Sequence, residues 1–268
     1  MTRAPRFPMA LDRLQARPGG SAGLPLHRPQ RPLDQAAQDL ARRHAPSGLG
    51  LDSAAVRQRM VDRLRSAGLD CEPVLQALAG VERHRFVDTG LANQAYEDTS
   101  LPIGLSQTIS KPSVVGHMLA LLFEGAYARE HGHLGRTLEI GTGCGYQAAL
   151  LVRLCRGVVS IERLQGLYDK ARTNLADVRQ AELRLVLGDG RQGHAPRAPY
   201  LSIIAAAGGA ELPPAWLEQL GLGGRLVAPV QSGPDGGQRL LIVDRGPQGL
   251  FTHLCDAVNF VPLKSGTE

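Results

Sequence analysis

From position 136 onward the apolar residues follow two alternating periods. Short runs rich in Val, Leu and Ile ("RTLEI", "GVVSIE", "LRLVLG", "YLSIIAA" and "GRLVAPV") are candidate strands. Between them, Tyr146 to Leu154, Leu164 to Leu175 and Pro213 to Leu220 carry apolar residues at helical spacing. Such alternation predicts a parallel sheet with helices on both faces. Two later runs, "QRLLIVDR" and "LFTHLCDAVNF", have no convincing helix between them. They are expected to close the sheet as an antiparallel hairpin turning near Gly246-Pro247. The expected fold is α/β and doubly wound, with a mostly parallel seven-stranded sheet.

Ahead of the sheet the pattern is helical, then irregular. Val56, Met60, Val61 and Leu64 share one helix face, with Asp52-Ser53 as the expected cap and Gly68 as the stop. Glu72 to Ala79 predicts a second short helix. Val81 to Lys111 has no sustained period and contains the polar stretch "AYEDTSLPIGLSQTIS". Pro112 then opens an apolar helix through Met118, Leu121 and Leu122. The expected organisation is a leader over 1–51, a helical and loop subregion over 52–125, and the sheet over 126–268.

Charge sets the leader apart. Residues 1 to 50 carry eight arginines against three aspartates, a net of +5, so the remaining 22 basic and 22 acidic residues cancel. Seven of the 18 prolines also lie there. Low hydrophobicity and like charge predict a disordered, solvated leader, and the neutral remainder argues against an obligatory nucleic-acid partner. No apolar run nears the roughly 18 residues needed to cross a bilayer, and no apolar signal-peptide core precedes the domain. Cys71, Cys144, Cys155 and Cys255 form no CxxC pair. They are expected to be reduced thiols of a cytoplasmic protein, with no disulfide framework and no zinc site. His131 and His133 lack a third ligand nearby in sequence and are expected to face solvent.

The chemistry concentrates in "LEIGTGCGYQAALL", where Gly141, Gly143 and Gly145 follow a strand directly. In open α/β sheets ligands sit at the carboxyl ends of strands, and glycines let the backbone approach them closely. A dinucleotide fingerprint would need glycine at position 146, which is Tyr146. Three acids follow the same logic: Glu139 before the loop, Glu162 ending the next strand, and Asp189 in "GDG" after the third. Taken singly, each is as well read as a solvated strand end. Together they suit a ligand with ribose hydroxyls, an adenine amino group, a cationic centre and no phosphate. S-adenosylmethionine has those features, and the sheet is then the Rossmann-like kind that binds it.

Beyond the glycine loop, "VERHRFVD", "YEDTSLPIGLSQTISKP", "VVSIERLQGLYDKARTNL", "GDGRQG" and "FVPL" complete a pattern. In this order they resemble the protein-L-isoaspartate O-methyltransferases, from about residue 53 to Leu263. The resemblance implies a repair enzyme acting on age-damaged proteins; a monomer is the expected state. It would methylate the free carboxylate of L-isoaspartyl residues and, more weakly, of D-aspartyl residues. It further implies that Ser110 is the active-site serine. Gly104, Leu105, Ser106 and Gln107 would line the cofactor cleft, with Thr142 and Gly190 beside the other cofactor positions. Thr108, Ile109, Val261, Pro262 and Leu263 would meet the substrate. Three positions depart from the family's usual pattern: Leu201 replaces an acid, Ala206 a hydroxyl, and Gln231 a glycine after "PV".

A carboxylate nucleophile is ionised at neutral pH and needs no base, which fits a sequence with no visible triad or metal set. From spacing alone Ser110 serves equally as a cap for the helix opened by Pro112, and Asp98 as a loop tether or a filter against wrong substrates. Two other readings stay open: a methyltransferase of RNA or a small molecule, and a catalytically weak module that binds S-adenosylmethionine.

Overall fold

Proline and glycine punctuation decides where the early helices begin and end. In the computed structural model, which describes residues 54–178, 183–232 and 237–268, α1 (Ala54–Ser66) buries Met60, Val61 and Leu64. Helix α2 (Glu72–Gly80) carries Pro73 in its first turn and buries Val74, Leu75, Ala77 and Leu78. The expected leader over 1–51 and the cap at Asp52-Ser53 lie outside the described residues.

Residues 81–111 are more ordered than their pattern suggests. Two 3₁₀ turns, Arg83–Phe86 and Thr89–Gln94, lead into an antiparallel hairpin of β1 (Leu101–Gly104) and β2 (Gln107–Ile109). Three- and four-residue strands are too short to show a period. Helix α3 (Pro112–Phe123) follows, then α4 (Ala126–His131), which the sequence does not announce and which Gly132 closes in the left-handed region.

The remaining elements alternate: β3 (Arg136–Ile140), α5 (Tyr146–Leu154), β4 (Gly157–Glu162), α6 (Gln165–Asn174), β5 (Leu183–Leu187), β6 (Tyr200–Ala205), α7 (Pro214–Gln219) and β7 (Leu220–Gln231). Strands β8 (Gln238–Gly246) and β9 (Gly249–Val258) complete the seven-stranded order β5-β4-β3-β6-β7-β8-β9. The pairs from β5 to β7 are parallel and the last two antiparallel. Successive residues feed opposite faces: Ile204 and Val227 join the core beneath α1–α3 and α5, while Ile203, Ala205, Leu226 and Ala228 join Trp216 on the other side. Burial on both faces explains the unbroken apolar runs. The order in which strands are added reverses between the parallel neighbours β3 and β6, which opens a crevice at their carboxyl ends.

Candidate functional site

All three loop glycines occupy the left-handed region, with φ of 89° at Gly141, 58° at Gly143 and 92° at Gly145. A side chain there is strained, which accounts for glycine at alternate positions. Gly145 is also closed in, since a Cβ would stand 2.7 Å from Leu175 Cδ1. Tyr146 explains the missing dinucleotide fingerprint. Its ring is fully buried, edge-on to Phe86 at 5.6 Å, with the Arg83 guanidinium 4.8 Å from its centre. The position anchors the core.

The loop is held by Glu162. Gly143 N donates to its Oε2 at 2.8 Å, while Arg163 N and Leu164 N donate to Oε1 at 2.9 and 3.0 Å. A carboxylate oxygen accepts about two bonds, so Oε2 keeps a lone pair free. Glu162 lines a cavity of about 920 Å³ together with Gly141, Gly143 and Gly190, a size suited to a small-molecule ligand. Across the cavity stand Leu105, Ser106, Gln107 and Thr108 of the β1–β2 hairpin, then Ser110 and the Val261-Pro262-Leu263 segment. Lys170 pins the hairpin by donating to Ile103 O and Asp88 Oδ1, each at 2.9 Å.

Six expected positions do not line the cavity. Gly104 starts the hairpin turn, Ile109 is buried in the core, and Gly145 sits under Leu175. Glu139 and Thr142 lie behind the loop in a buried polar chain: Gln147 Nε2 donates to Glu139 Oε1, and Ser160 Oγ lies 2.5 Å from both Glu139 Oε2 and Thr142 Oγ1. Burial pushes the Glu139 carboxyl up to about 8, so it is neutral where a counterion to a cationic ligand would be charged. Asp189 also faces away. It accepts from Arg191 N and Gly266 N at 2.8 Å, and its neighbour Gly190 meets the cavity.

The Ser110 hydroxyl, by contrast, has no hydrogen-bond partner among the described residues and lines the cavity. Asp98 takes the capping role that spacing offered to Ser110, accepting from Ser113 N at 2.8 Å in the first turn of α3. This settles Asp98 as a tether. Lys111 and Lys264 bring positive charge to the cavity and the groove beside it. Residues 264–268 form part of the cavity wall: Arg163 donates to Gly266 O and Glu268 Oε2, and Gln165 N to Glu268 O. No periodicity announces contacts between residues so far apart in sequence. Of the three departures, only Ala206 lines the cavity, beside Gly141; Leu201 packs against Gly135 and Tyr127, and Gln231 is exposed at the end of β7. His131 is exposed and stacks on Tyr127 at 4.0 Å, whereas His133 is half-buried rather than solvent-facing.

A doubly wound sheet with a bared glycine turn after its central strand, and a carboxylate ending the next strand, defines an S-adenosylmethionine-dependent methyltransferase. The chain matches the protein-L-isoaspartate(D-aspartate) O-methyltransferase pattern over residues 55–268 and belongs to that family. A protein-L-isoaspartate O-methyltransferase of Methylibium petroleiphilum is 59% identical over 267 residues, covering 99% of this chain and 97% of its own. One from Leptothrix cholodnii is 56% identical, covering 90% and 84%. Among solved structures, a protein-L-isoaspartate O-methyltransferase covers 78% of this chain and 66% of its own at TM-score 0.67 and 24% identity. A Plasmodium falciparum protein described as a putative member, in complex with S-adenosyl-L-homocysteine, covers 78% and 98% at TM-score 0.67 and 20% identity. At those identities the two structures speak for the fold.

Proposed function

We infer that this protein transfers a methyl group from S-adenosylmethionine to the free carboxylate of L-isoaspartyl residues, and more weakly of D-aspartyl residues, in damaged proteins. The observation that carries the site assignment is the unpartnered Ser110 hydroxyl, which shares one cavity with Glu162 and the bared glycines. Bound there, the cofactor supplies an activated methyl on a sulfonium that is already a good leaving group. Glu162 Oε2 would accept from the ribose, and Gly141, Gly143 and Gly190 would let the backbone approach it. Glu139 and Thr142 hold the loop from behind, and Asp189 shapes the adenine wall through Gly190. The substrate carboxylate needs no base, being ionised at neutral pH. Lys111 and Lys264 attract it, and Ser110 donates to one oxygen so that the other faces the methyl. Val261-Pro262-Leu263 and the hairpin grip the peptide backbone and exclude water. The four free cysteines support a reducing compartment, the cytoplasm.

The decisive assay offers labelled cofactor with an isoaspartyl peptide, its aspartyl twin and bulk RNA. An isoaspartyl residue adds a methylene to the main chain and leaves the α-carboxylate free, while an aspartate holds its carboxylate one carbon further out. Misplacement by about 1 Å costs on the order of a hundredfold in rate. Label is therefore expected in the isoaspartyl peptide, with little or none in the twin or the RNA. Equal labelling of both peptides defeats the repair assignment. Ser110→Ala should lower turnover more than cofactor affinity; turnover at the wild-type rate would remove the serine from the mechanism.

A further inference from the structure

Helix α3 carries Ser110 and Lys111 just before its start and His117 in its second turn. Strand β9 runs along the sheet edge and leads into Val261-Pro262-Leu263. Its pairing with β8 slips at one point: Arg239 faces Ala257 but Leu241 faces Leu254, so Leu240 alone is opposed by both Cys255 and Asp256. An extra residue of this kind interrupts the strict alternation of side chains and re-aims them. Here the slip lets adjacent residues, which in regular strand point to opposite faces, share one neighbour on α3.

That neighbour is His117. One ligand atom from each of His117, Cys255 and Asp256 lies within 4.8 Å of the other two. Cys255 Sγ is 3.4 Å from Asp256 Oδ2, and His117 Nε2 is 2.7 Å from the same oxygen. Nε2, covered by Asp256, makes no aligned hydrogen bond among the described residues. Imidazole nitrogen, thiolate sulfur and carboxylate oxygen are together a donor set for zinc or a similar divalent ion. Bonds of about 2.0–2.3 Å in a tetrahedron give ligand separations of roughly 3.3–3.8 Å; the Cys255–Asp256 separation falls in that range, while His117 and Asp256 stand closer and would part slightly around an ion. The His117 and Asp256 side chains are 42% and 66% exposed, which leaves a path from solvent and room for water as a fourth ligand.

We propose that His117, Cys255 and Asp256 form a zinc-type divalent-cation site that ties α3 to the bulged edge strand. The inference does not depend on which substrate the enzyme methylates. Binding replaces the Cys255 S–H bond by a sulfur–metal bond and releases the proton to solvent. A bound ion braces the helix that follows Ser110 against the strand that leads to Val261.

The test uses the full chain, untagged and stripped with a chelator, titrated with Zn²⁺ by calorimetry and with Co²⁺ by absorbance. One equivalent of Zn²⁺ should bind, with proton release, and Co²⁺ should give a near-ultraviolet thiolate-to-metal charge-transfer band. His117→Ala and Cys255→Ser should each weaken Zn²⁺ binding at least about tenfold, since losing even a group that only hydrogen-bonds to a ligand costs about 10- to 100-fold. The charge-transfer band should vanish in Cys255→Ser and persist in Cys71→Ser. All three side chains are partly exposed, so the variants are expected to fold, which circular dichroism verifies, and Asp256→Asn gives an independent third reading. No saturable binding, affinity unchanged in the His117 and Cys255 variants, or a band that survives Cys255→Ser overturns the proposal.

Discussion

Two glutamates one strand apart have opposite tasks because their surroundings differ. Glu162 has three backbone N–H donors and a face on the cavity, whereas Glu139 is sealed and neutral. For Glu139 the folded-state pKa of about 8 stands above the ordinary 4.5. Its contribution to stability is therefore fully present below about pH 4.5, and is lost progressively as pH rises to about 8, because the unfolded chain ionises first. Glu139→Gln, always neutral, should gain stability over the wild type across that window, by up to a few kcal/mol at about 1.4 kcal/mol per pH unit. Melting curves of both proteins at several pH values check this; a difference independent of pH would mean that Glu139 stays ionised in the fold. Glu162→Ala should cost roughly 1.5–3 kcal/mol of cofactor binding, about ten- to hundredfold in Kd, measured by calorimetry on folded protein. An unchanged Kd would remove Glu162 from the site.

Among the elements, the β1–β2 hairpin is where local preference and position disagree most. Its two-residue turn has Leu105 at φ 49° and Ser106 at φ 57°, the type I′ geometry that favours Asn-Gly. Left-handed backbone costs such residues about 1–2 kcal/mol each, and strain of this kind gathers at functional sites. Leu105 is 58% exposed and projects toward Gly166 across the cavity. Leu105→Asn with Ser106→Gly should raise the melting temperature by several degrees, at about 2–4 °C per kcal/mol, while turnover falls with the lost lining side chain. A melting temperature that does not rise would show the turn to be unstrained. This hairpin is also where the sequence was hardest to read. The strands of the large sheet were legible because burial on two faces makes long apolar runs, and α5 because its apolar face and flanking glycine mark both ends. A hairpin of nine residues offers neither signal. The site was legible to a similar degree: Gly141, Gly143 and Glu162 follow from strand order, whereas Lys111, Lys264 and the contact between Asp189 and Gly266 arise only when distant segments meet.

At the scale of the whole molecule, charge and fold separate cleanly along the chain. The entire net charge of +5 resides in residues 1 to 50, ahead of the stretch from 55 to 268 that matches the family. Like charge and seven prolines predict a leader that packs on nothing. Deleting residues 1 to 50 should therefore leave the melting temperature and the rate on short peptides within error of the full chain. A truncated protein that precipitates or loses activity would assign the leader a packing role.

The wall formed by residues 264–268 bears on how often the enzyme can be reloaded. It is held by Gly266 N on Asp189, by Arg163 on Gly266 and Glu268, and by backbone bonds between Glu268 and the 163–165 corner. Most of these are solvent-facing bonds of about 0.5–1.5 kcal/mol each, and none belongs to the seven-stranded sheet. Such a segment can peel away and settle back on a microsecond scale while the sheet beneath stays closed. Arg163→Ala, which removes two of these bonds, is therefore expected to speed the release of spent cofactor in stopped-flow measurements without lowering the melting temperature of the sheet.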